Sequence, residues 1–135
     1  MISIPSRLEL VLKELNENGN FRASLFSTST GLVLAFQKAG DIDERVIAAM
    51  GSLLSDAAYK ASEEMSLTDV QSMKIKYKED FIIMRNIILD DNKTEFTLAV
   101  LTKLPDSEDV EKYFDQLLDW AVANSKGDLE KLSSI

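Results

Sequence analysis

Four groups of side chains in this sequence have the types and spacing that chemistry asks for. Asp41, Asp43 and Glu44 make one acidic cluster, and Asp106, Glu108 and Asp109 make another. Either could in principle supply a carboxylate pair or a magnesium site. Each also stands where a helix is expected to begin, and carboxylates at the positive end of a helix dipole account for both with nothing left over. Arg7, Arg22, Arg45 and Arg85 are the only arginines. One of them could act as an arginine finger on a bound phosphoryl group, but salt-bridged positions are the expectation for all four. Lys74, Lys76 and Lys78 alternate as one face of a strand would. They fit a basic contact row for an acidic partner or anionic lipid, and fit as well the lysines that protect and solubilise an edge strand.

What is missing narrows the chemistry further. The 135 residues include no Cys and no His, which removes disulfides, thiolate nucleophiles, the commonest metal ligand and the commonest general base near neutral pH. No catalytic, cofactor-binding or metal-binding residue is assigned, and the chain is not expected to be an enzyme. The five glycines stand scattered at 19, 31, 40, 51 and 127, without the GxxxxGK spacing that cradles phosphates, so the chain is not expected to be a GTPase itself. With 23 acidic against 15 basic residues the net charge is −8, which argues against a nucleic-acid partner. The first residues, Met1-Ile2-Ser3-Ile4-Pro5, lack the pattern of a signal peptide, Ile2 stands where myristoylation needs glycine, and no apolar run approaches the roughly 20 residues of a membrane span. A soluble, cytoplasmic protein without integral membrane contact is expected.

The elements that must position these groups follow from periodicity. Ser6 and Glu9 have capping-box spacing, and Leu8, Val11, Leu12 and Leu15 recur at helical intervals up to a stop at Asn18-Gly19-Asn20, with Gly19 as the left-handed cap. Phe21 to Thr28 and Leu32 to Phe36 form a hairpin about Ser29-Thr30-Gly31, with Leu32, Leu34 and Phe36 on one side. A long helix is expected from about Glu44 to about Met65. Its apolar arc holds one stripe of Ile47, Met50, Leu54, Ala58, Ala61 and Met65 beside another of Val46, Ala49, Leu53 and Ala57. That arc is wider than packing on one sheet requires. Small residues, Gly51, Ser52, Ser55, Ala57, Ala58 and Ala61, would let another helix or a sheet approach closely.

Asp69 to Tyr77 alternates as a half-exposed strand, with Met73, Ile75 and Tyr77 opposite the lysines. Phe81 to Leu89 suits a strand covered on both faces, and a strand through Phe96, Leu98 and Val100 follows the turn at Asp90 to Lys93. Pro105-Asp106 is expected to end the sheet and cap a last helix carrying Val110, Tyr113, Phe114, Leu117, Leu118 and Ala121 on one face. Gly127 is expected to stop it, and Trp120, off the main stripe, to pack rather than mark a contact. One α/β (α+β) domain spans 1–135, with a core of about 6–124 and a fraying tail at 125–135: helix-strand-strand-helix-strand-strand-strand-helix, a five-stranded antiparallel sheet with helices on both faces.

Over about Ser6 to Asn124 the chain resembles the roadblock/dynein light-chain family. The hairpin strand Gly31-Leu32-Val33-Leu34-Ala35, the Ala-rich helix at Ile47-Ala48-Ala49-Met50-Gly51-Ser52-Leu53-Leu54 and the apolar strand Phe81-Ile82-Ile83-Met84 carry the resemblance. Longin and profilin-like folds share much of this order. The resemblance implies a dimer, with itself or a roadblock paralogue, formed through the third strand and the second helix. It implies a scaffold or regulator of a small Ras-like GTPase. The interface it points to comprises Val46, Ala49, Met50, Leu53, Ala57, Met73, Ile75 and Tyr77, with Lys74, Lys76 and Lys78 as the possible basic row. The alternative is a small-molecule or lipid sensor of the same architecture.

Overall fold

The structure, a computed structural model, describes residues 2–89 and 94–134. The turn expected at Asp90 to Lys93 lies outside the described residues. Helix α1, Ile4–Gly19, starts earlier than the capping-box spacing suggests. Ser3 is the cap, its hydroxyl accepting the Ser6 N–H at 3.3 Å, and Pro5 sits in the first turn, where a missing N–H costs no hydrogen bond. The Ser6–Glu9 box is therefore not formed. At the other end Asn20, not Gly19, takes the left-handed conformation, at φ 53. Gly19 stays helical for a different reason: the Phe21 ring lies against it, and a Cβ there would come within 2.4 Å of Phe21 Cζ. That ring in turn meets Phe114 edge to face, with centroids 5.0 Å apart.

Strands β1 (Ala23–Thr28) and β2 (Val33–Lys38) form the expected hairpin, and Gly31 adopts the φ of +93 that its turn requires. A bulge interrupts the pair: Phe26 faces Ala35 but Ser27 faces Val33, which leaves Leu34 without a partner. The single-sided row of Leu32, Leu34 and Phe36 is broken as a result. Leu34 packs toward the cluster under α1, and Phe36 stands opposite Leu25 on the other face.

Helix α2 runs Glu44–Met65 with Asp43 as its cap. Strands β3 (Ser72–Lys76), β4 (Asp80–Ile88) and β5 (Glu95–Lys103) then complete one antiparallel sheet in the order β2-β1-β5-β4-β3. The outermost strands are β2 and β3. Strand β4 is covered on both faces, as its unbroken apolar run predicts: Phe81, Ile83 and Ile87 join one core cluster, and Ile82 and Met84 the other.

The larger core lies between the sheet and the α1–α3 pair, where Leu8, Leu12, Leu15, Phe26, Leu98, Leu118 and Leu129 are all fully buried. Helix α3 spans Glu108–Ser133, and its cap is not at Pro105-Asp106 as expected but at Ser107, whose hydroxyl accepts the Val110 N–H. It does not stop at Gly127, and residues 125–133 are no fraying tail. Ser125, Asp128 and Leu129 are buried, and Asp128 pairs with Arg7 of α1 at 3.3 Å. One glycine costs a helix only about 1 kcal/mol, less than burying Leu129 contributes.

Candidate functional site, the outer face of helix α2 and the third strand

Helix α2 is the only helix on its face of the sheet among the described residues, and it sits close. Its inward line is Ile47, Ala48, Gly51 and Ser55, mostly small residues. At Gly51 an added Cβ would stand 3.3 Å from the Met84 sulfur, so the small residues let the helix settle onto its own sheet. The expectation that small residues serve a second helix therefore divides: Gly51 and Ser55 face inward, while Ala49 and Ala57 are exposed.

Two large apolar side chains point the other way. Val46 is 63% exposed and Leu53 is 72% exposed. With Ala49 and Ala57 they form an outward row at intervals of three and four. Met50 and Leu54, half-buried, pack on the cluster of Ile47, Ile82 and Met84, and so do Met73 and Ile75 of β3. Tyr77, just past the strand, is 47% exposed. The eight positions thus share one side of the sheet or its rim, partly covered by α2 and open along the β3 edge. Burying a single Leu-sized side chain from water stabilises by roughly 1.5–3 kcal/mol, so such a row weighs toward a covering partner.

The basic row has a different setting. Lys74 and Lys76 project to the opposite face, toward α3, where Lys74 donates to Glu111 at 2.9 Å and Asp115 at 3.0 Å, and Lys76 pairs with Glu111 at 3.0 Å. Arg85 of β4 extends the series to Asp115 and Asp119. Burial by itself would lower the Lys74 pKa, but the two hydrogen-bonded carboxylates outweigh it and hold the ammonium above its ordinary value. Lys74, then Lys76, holds Glu111 below the usual carboxylate range. Two of the three lysines are engaged within the chain, and Lys78 is exposed beyond the strand. Sequence reasoning missed this ladder, although Glu111, Asp115 and Asp119 recur every four residues, the spacing of one helical face.

Asp43, Glu44 and the arginines are held locally, while Glu108 and Asp109 stand in the first turn of α3 beyond its Ser107 cap. Asp43 caps α2 and binds Arg45, whose side-chain and backbone N–H groups lower its pKa. Glu44 is lowered by Lys38, which donates to it at 2.8 Å. Arg7 pairs with Asp128 and Arg22 with Asp80, so every arginine has a carboxylate partner. Trp120 is partly buried against the larger core. Tyr59, pushed up to about 12 by burial and by its hydrogen bond to Glu95 at 2.7 Å, is held as a neutral donor. No group of three or more acidic residues is placed to hold a metal ion among the described residues, and no described helix is long and apolar enough to cross a membrane.

No protein-family profile matches the chain. It is 28% identical over 105 residues to the uncharacterized protein MJ0714 of Methanocaldococcus jannaschii, covering 73% of this chain and 89% of that protein. It is 25% identical over 113 residues to MJ1340 of the same organism, covering 79% and 99%. Among solved structures, MglB of Myxococcus xanthus superposes with a TM-score of 0.77 at 13% identity, covering 93% of this chain and 90% of that one. The gliding protein MglB of Thermus thermophilus gives 0.78 at 13%, covering 97% and 94%. A roadblock/LC7 domain of Streptomyces avermitilis gives 0.76 at 14%, covering 90% and 97%. Superposing over 90–97% of its length on these structures, with helices on both faces of one five-stranded antiparallel sheet, this chain is a roadblock-type domain in fold.

Proposed function

We propose that the chain is a dimeric, non-catalytic platform that binds or regulates a small Ras-like GTPase in the cytoplasm. The observation that carries the reading is the outward row of Val46, Ala49, Leu53 and Ala57 on α2, beside the edge strand with Met73, Ile75 and Tyr77 on the same side of the sheet. An apolar helix face next to an open strand edge matches the two surfaces through which roadblock domains are expected to pair. The GTPase comes from the family resemblance, and the roadblock fold supports it. The setting of the charged groups supports the non-catalytic part, because Asp43 tied into a cap, Glu111 and Asp115 into a ladder and the arginines to carboxylates favour recognition over turnover. The sensor alternative, with a ligand between helix and sheet, finds less support, since α2 contacts Met84 at Gly51 with no space between them.

Light scattering tests the dimer: about twice the 15.1 kDa chain mass is expected at micromolar concentration, and a monomer refutes it. Capture of Ras-like GTPases from the same genome, loaded with GDP or a GTP analogue, tests the partner. Retention of none, or equal retention of unrelated proteins, removes that part of the reading.

A further inference from the structure

The sheet has a second open edge, β2, which the α2 and β3 surface does not use. Ala39 donates to the Arg22 carbonyl and Thr28 to the Leu32 carbonyl, each at 2.9 Å. By the alternation of an antiparallel ladder, the N–H and C=O groups of Phe36 and Lys38 then point away from β1. Lysines usually guard such edges. Lys38 is drawn aside instead, bonded to Glu44 and seated 5.3 Å from the centroid of the Phe36 ring.

Grooves of about 470 and 550 Å³ flank the strand, one reaching the start of α2 and one lying along α1. Leu32, Leu34 and Phe36 line the first and Leu10 the second; Leu32 is 65% exposed. Glu9 lines both. Its carboxylate has no ion-pair or hydrogen-bond partner among the described residues, and Arg45, which lines the first groove beside it, is bound to Asp43.

We infer that β2 takes up an extended segment of a partner protein as an added edge strand. Open backbone groups select a strand, the apolar side chains select alternating apolar residues, and unpaired Glu9 on a chain of net charge −8 selects a lysine or arginine opposite it. The bulge at Leu34 limits the paired length, so the segment is short. A second copy is disfavoured as occupant, since joining β2 to β2 would bring two unpaired Glu9 carboxylates to one seam.

The test uses the whole chain and a fluorescein-labelled peptide of about six residues alternating Val and Lys, followed by anisotropy. Saturable binding is expected. Methylating alternate backbone nitrogens of the peptide should abolish it while leaving the side chains intact. Glu9→Lys should weaken the Val/Lys peptide about tenfold and strengthen a Val/Glu peptide, the reversal expected of a charge contact. No binding at millimolar peptide, or undiminished binding of the methylated form, overturns the inference. So does a fall in oligomeric mass on Phe36→Lys, which would show a second copy on this edge.

Discussion

The two faces of the sheet are built on opposite rules. Under α1 and α3 the large side chains point in: Leu8, Leu12, Phe26, Phe81, Leu118 and Leu129 are fully buried, and the Lys74, Lys76 and Arg85 ladder ties the rim to α3. Under α2 the small Ala48, Gly51 and Ser55 point in beside Ile47, while Val46 and Leu53 face away from the core. Both helical layers carry enough apolar surface to build a core. The second leaves two of its large side chains, Val46 and Leu53, outside. One face is closed by the chain itself, and the other is left with apolar surface to cover.

The comparison can be broken most severely at the closed face. Truncation after Asn124 removes Leu129 and the Asp128 partner of Arg7. Urea unfolding should show a loss of at least the roughly 2–5 kcal/mol typical of deleting one buried leucine. An unchanged midpoint would return residues 125–133 to the status of a tail. Next, Gly51→Val forces two methyl groups toward Met84 and should destabilise by about 1–3 kcal/mol through overpacking. Stability unaffected by this change would mean that α2 is held less closely than it stands here.

Acid should act on the rim of the closed face, as well as on Asp43 and Glu44 at the start of α2. Glu111 has a lowered pKa when folded, so its contribution is complete above the unfolded carboxylate value of about 4.3 and is lost as pH falls through the folded value. Lys74, with a raised pKa, loses its contribution only at the alkaline end, as pH rises through its own folded value. Emission from Trp120, the single tryptophan, should therefore report loosening of α3 in acid, and Glu111→Gln should blunt the change. A Glu111→Gln variant with the same acid profile would assign the transition to other carboxylates.

The smallest effect on folding is expected at the open face. Leu53→Ser should move stability by no more than about 0.5 kcal/mol, as exposed substitutions do. If the outward row is an interface, the same variant lowers the mass seen by light scattering. A large loss of monomer stability would instead place Leu53 in the core.

Reading the fold from the sequence worked where one physical signal dominated. The five strands, the hairpin glycine at Gly31 and an acidic helix start at Asp41 to Glu44 are local facts of alternation, backbone freedom and side-chain hydrogen bonding. It failed where a distant contact outweighed a local preference. Gly127 suggests a stop, but Leu129 and Asp128 find α1 and keep the helix going. Gly19 suggests a cap, but the Phe21 ring requires its bare backbone.

For the candidate site, the sequence by itself determined that α2 carries too much apolar surface for one sheet and that the Lys-bearing strand is half-exposed. Which stripe turns outward could not be read from spacing, because two adjoining stripes on a helix are equivalent until the sheet selects the side that packs closer. Only tertiary structure sent Ala48, Gly51 and Ser55 inward and left Val46 and Leu53 outside. It also turned Lys74 and Lys76 from a potential contact row into partners of Glu111 and Asp115, since strand register and helix docking decide which charges meet.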